Sequence, residues 1–392
     1  MRTVFRDFCA MAAILAIVAP ASASPQASPR ISKFVPASTV RSLERQPVVV
    51  RFGEELEFDW IVDVVPVRNG GLVVANSGTA SLHFFDRAGR VLRSVGRRGS
   101  GPGEYQDIGG VTSLPGDSLI VWDGMLRRAT VLSPAGEFIR AFPLEAPFDG
   151  GGSVTRLVAL RGGRILIGFS EVTTLAPSPK ATVFGERVIS FDTNGRRTGE
   201  IDLRLVSSDH FVQAVPAEMG GVAYWGLAFG RDLTVRATAL GFVTGDGTQW
   251  GVEVRSFPRG EVRERYEIDR LPVEVTAAAI AAFRERALSG EKGPSRVVAE
   301  RMVAEMPFPR TQPAYVRFEI DERNRVWIED YLERRTDTPL WYRMDPTAAR
   351  ADAVRFAPRF TPRAFANGLA YGIWRDQDDV QHVVAYAVDG VP

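Results

Sequence analysis

The chain has 392 residues, 45% hydrophobic and 24% charged, which is enough apolar material for a packed core and excludes disorder over most of the length. Its 48 basic and 47 acidic residues nearly cancel, and no run of Lys or Arg leaves the basic footprint that a nucleic acid partner requires. The single cysteine, Cys9, follows Arg6, Asp7 and Phe8, a context wrong for lipid attachment.

In chain order, Arg2 and Arg6 precede an apolar run from Phe8 to Val18, followed by Pro20 and the small residues Ala21-Ser22-Ala23. That order of features predicts a signal peptide over residues 1–23, cleaved after Ala23. The run is too short for a membrane span, which needs roughly 20 apolar residues in helical form. Once it is removed, 46 basic and 46 acidic residues remain with no cysteine, so disulfides, thiol nucleophiles and thiolate metal sites are excluded. Residues 24–44 begin SPQASPRISKFVPAS, rich in Ser and Pro without periodicity, and read as a flexible leader before an ordered domain over 45–392.

Beyond the leader one pattern recurs. A turn former stands directly before a β-rich run in NGGLVVAN from Asn69, GDSLIVWD from Gly116, GGRILIGF from Gly162, NRVWIEDY from Asn324 and NGLAYGIW from Asn367. A second marker is visible in six copies, five of them after these runs: HFFDRAGRVL from His83, TVLSPAGEFI from Thr130, ISFDTNGRRT from Ile189, VRSFPRGEV from Val254, WYRMDPTAAR from Trp341 and VAYAVDG from Val384. Six such units of short strands predict an all-β fold, a six-bladed β-propeller in which each blade is a small twisted sheet. The last unit offers three strands, near Phe360–Ala366, Leu369–Arg375 and Gln381–Val388, while PVVVRF from Pro47 has no partner in the first. Val48–Phe52 is therefore expected to supply the outer strand of the sixth blade and close the ring.

One stretch breaks the strand pattern. VTAAAIAAFRERALSG from Val275 puts Ile280, Phe283, Ala287 and Leu288 on one helical face, with Thr276 as N-cap and Gly290 at the C-terminal end. SRVVAERMVAEM from Ser295 aligns Val298, Met302 and Met306 before Pro307. The two helices form a short insertion, about 275–308, between blades four and five.

The string SVGRRGSGPGEYQDIGGV from Ser94 resembles an NHL repeat: Gly101, Gly103, Glu104 and Tyr105 match its glycine-rich connection, and Leu119, Val121 and Asp123 its following strand. In spacing and strand order the chain from Val48 onward is similar to bacterial exported six-bladed propellers with NHL-like repeats. That resemblance implies fold more than function. The glycine-rich loop lacks the Gly-Lys-Ser/Thr ending of a P-loop and the strand–turn–helix setting of a dinucleotide fingerprint, so it reads as structural.

Chemistry is sparsely marked. His83, His210 and His382 are the only histidines; His83 and His382 alternate with apolar residues on predicted strands, and His210 in LVSSDHFVQ is expected on a loop. The resemblance brings to mind propeller lyases that use zinc and propeller lactonases that use calcium, yet neither ligand set maps onto this chain. Three scattered histidines argue against zinc, and calcium is the one cofactor left open, since oxygen ligands from separate blades leave no local spacing. DQDD from Asp376 lacks the glycine and distal Glu of an EF-hand and reads as a hairpin. There is no Gly-x-Ser-x-Gly elbow. No catalytic and no metal-ligating residue is therefore assigned.

Residues expected at the start of, or along, channel-lining strands are Trp60, Tyr105, Asp107, Arg156, Tyr224, Arg317 and Arg363. Aromatic faces with guanidinium forks suit a peptide carboxylate, a carbohydrate or another anionic ligand. The sequence thus points to an exported, periplasmic or extracellular monomer that binds a protein, peptide or glycan without catalysis. Its alternative is a metal-dependent hydrolase or lyase at the channel mouth.

Overall fold

The computed structural model describes residues 28–145, 153–160, 162–171, 182–214, 222–238, 241–331, 338–345 and 348–389. The expected signal peptide and its cleavage point lie outside these residues.

The chain is nearly all β. Strand β1 (Arg30–Ser42) and β2 (Val50–Phe52) come first. Then β3 (Ile61–Pro66), β4 (Leu72–Asn76), β5 (Ser81–Phe85) and β6 (Val91–Val95) form one antiparallel sheet. A second is built from β7 (Ile108–Ser113), β8 (Leu119–Asp123), β9 (Arg128–Leu132) and β10 (Phe138–Pro143). A third holds β11 (Val154–Leu160), β12 (Arg164–Glu171), β13 (Thr182–Asp192), β14 (Arg197–Ala214) and the additional β15 (Val222–Gly226). Next come β16 (Thr234–Ala237), β17 (Gly241–Gly245), β18 (Gly251–Ser256) and β19 (Val262–Ile268), then helices α1 (Ala277–Leu288) and α2 (Gly293–Glu305). Strands β20 (Tyr315–Ile320), β21 (Val326–Asp330), β22 (Leu340–Asp345) and β23 (Arg350–Arg355) follow the helices. The last are β24 (Phe360–Ala366), β25 (Leu369–Arg375) and β26 (Gln381–Ala387).

The turn in two of the second sequence markers, and the turn that leads into NRVWIEDY, share one cause. Asp86 Oδ1 accepts the amides of Ala88 and Arg90, Asp192 Oδ1 those of Asn194 and Arg196, and Asp321 Oδ1 those of Arg323 and Arg325. Each short side chain holds a tight hairpin between the third and fourth strands of a sheet, or between its first and second. Gly89 completes the first of these at φ +84°, and a Cβ there would run into the Arg51 carbonyl oxygen of the neighbouring sheet.

The sheets are arranged like the blades of a propeller. Their first strands, β3, β7, β11, β16, β20 and β24, touch in sequence, and β24 returns to β3. Each facing pair of sheets buries its own apolar cluster. Val73, Leu82 and Tyr105 meet Ile108 and Leu119 at one interface; Ile120 and Val131 meet Ile165 and Ile189 at the next. The one with the most buried aromatic rings joins β21–β23 to β24–β26, where Trp327 stacks on Phe365 at 4.2 Å beside Trp341, Phe356 and Phe360. An aromatic pair of this kind adds about 0.5–1.5 kcal/mol to the area it buries.

β2 pairs antiparallel with β26 in the order β2-β26-β25-β24, so a strand from the start of the chain completes the last sheet as expected, over Val50–Phe52. The flexible leader is a correction. Within 24–44, residues Arg30–Ser42 form β1, which runs parallel to β19 over Arg30–Phe34 and then parallel to β23 from Val35, joining two four-stranded sheets into one of nine strands. Phe34 is buried edge-on to Tyr266 at 5.5 Å, in the apolar cluster between these two sheets, while Ile31 and Val35 face outward. The strand alternation was masked because Ser32 and Pro36 share the inward face with Phe34 while the apolar Ile31 and Val35 face out.

Both expected helices form. Thr276 caps α1 through Oγ1, which accepts the Ala279 amide at 3.1 Å, and α2 begins at Gly293, two residues ahead of the expected Ser295. Met302 and Val303 of α2 and Met306 at its C-terminal cap pack with Ile280 and Phe283 of α1 in a cluster with Phe229 and Tyr331. Among the described residues no helix is long and apolar enough to cross a membrane.

Candidate binding site in the central channel

In an antiparallel ring of this kind the sheet-to-sheet connections and the turns between second and third strands open at the same end. A repeated hydrogen bond fixes that rim. The carbonyls of Trp60, Asp107, Ser153 and Arg359, each just ahead of a first strand, accept the amides of Ser77, Gly124, Ser170 and Arg375. Trp60 and Arg359 take φ near +60° to make this turn. Trp60 consequently projects into solvent, 70% exposed. Asp107 sits at the equivalent position and accepts the Ser77 hydroxyl at 3.3 Å. The helices cover part of the same end, since Phe229 lies in the connection from β15 to β16 and Tyr331 follows β21.

Inside the ring is a cavity of about 370 Å³ to which every first strand contributes. Bulges interrupt the pairing of β3, β7, β11, β20 and β24 with their second strands, near Val62, Gly109, Thr155, Arg317 and Arg363, and such bulges redirect side chains toward the axis. Arg156, Arg236, Arg317 and Arg363 form an arc on four successive sheets. Three are held from behind by carboxylates. Arg156 donates Nε and Nη2 to Glu186 at 2.5 and 2.9 Å, and Arg236 donates the same pair to Glu319 at 2.6 and 2.7 Å. Arg317 donates Nε to Glu329 at 2.9 Å and Nη2 to the Pro362 carbonyl at 2.8 Å. Glu186 and Glu329 have no solvent exposure. Charges so deeply buried persist only when paired, and forked contacts fix the guanidinium planes.

The facing wall is bare. Gly109 and Gly110 of β7 lie on the Trp122 indole, where a Cβ on either would come within 2.6 Å of ring atoms. Beside them stands Asp63 of β3, whose Oδ2 accepts the Val111 amide at 2.8 Å. Burial pushes its pKa up to about 6, against the opposing pull of the Val111 amide, Arg363 and Arg236.

Of the residues expected from sequence, Arg156, Arg317 and Arg363 line this cavity, and Trp60 and Asp107 stand on its rim. Tyr105 does not: it is 1% exposed and fills the core between the first two sheets. Its position at the head of a first strand is that of a plug, because the adjoining loop folds inward when Glu104 Oε2 accepts the Gly101 amide and Arg128 donates to three loop carbonyls. Tyr224 lies on β15 opposite Val212, away from the first strands, and its side chain is outside the described residues. Sequence reasoning missed Asp63, Arg236, Glu319, Glu186, Glu329 and Trp122. A usable signal existed: in IVDVVP, TVRA and YVRFEI an ionisable residue interrupts an apolar first strand.

The histidines are dispersed. His83 is buried between the Ser81 and Ser94 hydroxyls at 3.0 and 2.8 Å, and burial lowers its pKa. His382 bonds Asp376 at 2.9 Å within the hairpin formed by DQDD. His210 is on β14 rather than a loop, packed edge-on to Phe184. Among the described residues no three His, Cys, Asp or Glu side chains converge as a metal site would need.

No family model and no curated protein matches the chain by sequence. Among solved structures, a Bacteroides fragilis protein named as exported is similar over 91% of this chain and 99% of its own, with TM-score 0.51 and 10% identity. A member of the DUF4221 family from Bacteroides vulgatus aligns at TM-score 0.44, with 10% identity over 86% of this chain and 94% of that one. The calcium-binding protein regucalcin from Agrobacterium tumefaciens aligns at TM-score 0.41, with 10% identity over 90% and 98%. At such identities the likeness concerns fold alone, and only the first is close enough to support it.

Proposed function

We propose that this is an exported six-bladed propeller of NHL-like type that binds a peptide, protein or glycan at the helix-covered end of its channel, without catalysis. The ring of first strands and the closing strand β2 support the blade count. The signal-like start supports export to the periplasm or beyond. Trp60, Asp107, Arg156, Arg317 and Arg363 are the residues proposed to meet the ligand.

The observation that carries the binding reading is the fixed pairing of the channel arginines. Arg156, Arg236 and Arg317 are each locked by a carboxylate, which gives a rigid recognition surface with its ordering cost met on folding. Asp63 favours the second reading, since a carboxyl that titrates near pH 6 in a cavity is suited to general acid–base work. Metal analysis of protein purified without chelator, together with hydrolase and lyase assays, separates the two. Binding without turnover is expected; stoichiometric calcium or zinc whose removal abolishes an activity overturns the binding-only reading.

A further inference from the structure

The cavity wall carries four arginines, Arg156, Arg236, Arg317 and Arg363, against two carboxylates, Asp63 and Glu319. Glu186 and Glu329, which neutralise two of the arginines, stand behind them and out of the cavity. Both oxygens of Glu319 are already engaged by Arg236. In Arg156 and Arg317 the bonds to the anchoring groups use Nε and Nη2. A ligand entering between this arc and the glycine wall therefore meets guanidinium edges, a flat indole behind glycine, and one acidic group that is not forked to an arginine.

We propose that the channel binds an organic carboxylate, free or as a peptide C-terminus, against the arginine arc, and that Asp63 takes up a proton as it binds. The inference rests on the binding reading and narrows its ligand. A volume of about 370 Å³ is at the low end for small-molecule sites and suits a few residues of peptide or a small dicarboxylate. A negative charge placed here repels ionised Asp63 and is repelled by it; protonation removes that repulsion and keeps the Val111 amide bonded. The groups facing Asp63 are Arg363 from β24, Arg236 from β16 and Glu319 from β20, while β7 offers only the Val111 amide and glycines. Both oxygens of Glu319 accept from Arg236, which leaves Asp63 as the cavity carboxylate without an arginine fork. Its pKa near 6 puts that change within reach of mild acidification.

The test is calorimetric titration of the full mature protein with an N-acetylated tripeptide, its C-terminally amidated form, succinate and glucose. Cationic buffers avoid competition, and bis-Tris and imidazole differ enough in ionisation heat to report proton uptake. The free-acid tripeptide or succinate is expected to bind about tenfold more tightly at pH 5.5 than at pH 7.5, with proton uptake in the wild type. Which of the two binds tells a peptide end from a free acid. Asp63→Asn is expected to bind tightly at both pH values, within about twofold. The double change Arg156→Gln with Glu186→Gln, which removes a charge pair together, weakens binding at least tenfold. Equal binding of the amidated peptide or glucose, or carboxylate binding without proton uptake in the wild type, overturns the proposal while leaving a binding propeller. Absence of all binding together with metal-dependent turnover overturns the reading beneath it.

Discussion

Asp63 has an unusual linkage for an aspartate. Its folded pKa, about 6, lies above the ordinary value of 3.8, because burial outweighs the Val111 amide and the nearby arginines. The folded state thus holds a proton that the unfolded chain releases, so this group favours folding fully below about pH 4 and loses that contribution as pH rises through 6. Asp63→Asn is expected to be more stable than wild type by about 1–2 kcal/mol at pH 8 and indistinguishable at pH 4, as read from urea unfolding at each pH. Arg156→Ala strands a fully buried carboxylate and is expected to cost about 3–5 kcal/mol, whereas the double Gln variant costs markedly less. Arg156 was legible as a charged residue in an apolar strand; that its partner would be Glu186 was not, because the pairing spans the first and third strands across β12, and their register depends on the whole sheet.

The helices and β1 show two kinds of element. α1 and α2 were readable because capping and the 3.6-residue period are local; Thr276→Ala is expected to cost about 1 kcal/mol and to speed exchange of the Ala279 amide selectively. β1 draws almost nothing from its own sequence. Its backbone is ordered by two outer strands, each of which would otherwise present an open edge. Phe34→Ala is expected to lower stability by about 3–4 kcal/mol in chemical denaturation, since the ring is buried beside Tyr266 in the cluster between two sheets; a loose leader would show no change.

At the scale of the whole molecule, closure uses two strands from the start of the chain: β2 completes the last sheet and β1 sews two others together. A chain beginning at Leu43 keeps β2 but frees the edges of β19 and β23; one beginning at Gly53 also frees β26. Progressive loss of thermal stability and a rising share of oligomers in size-exclusion chromatography are expected along that series. Turns, strand alternation, helix caps and the recurrence of one unit were determined by the sequence itself, because each is an interaction among residues a few positions apart. The tertiary structure alone decided that Ser/Pro-rich residues form a parallel bridging strand, that Tyr105 is a core plug, and that Asp63 faces an arc of arginines. The first and last of these depend on groups far apart in the chain: Phe34 is buried beside Tyr266, and Asp63 meets Arg363 only when the ring is closed.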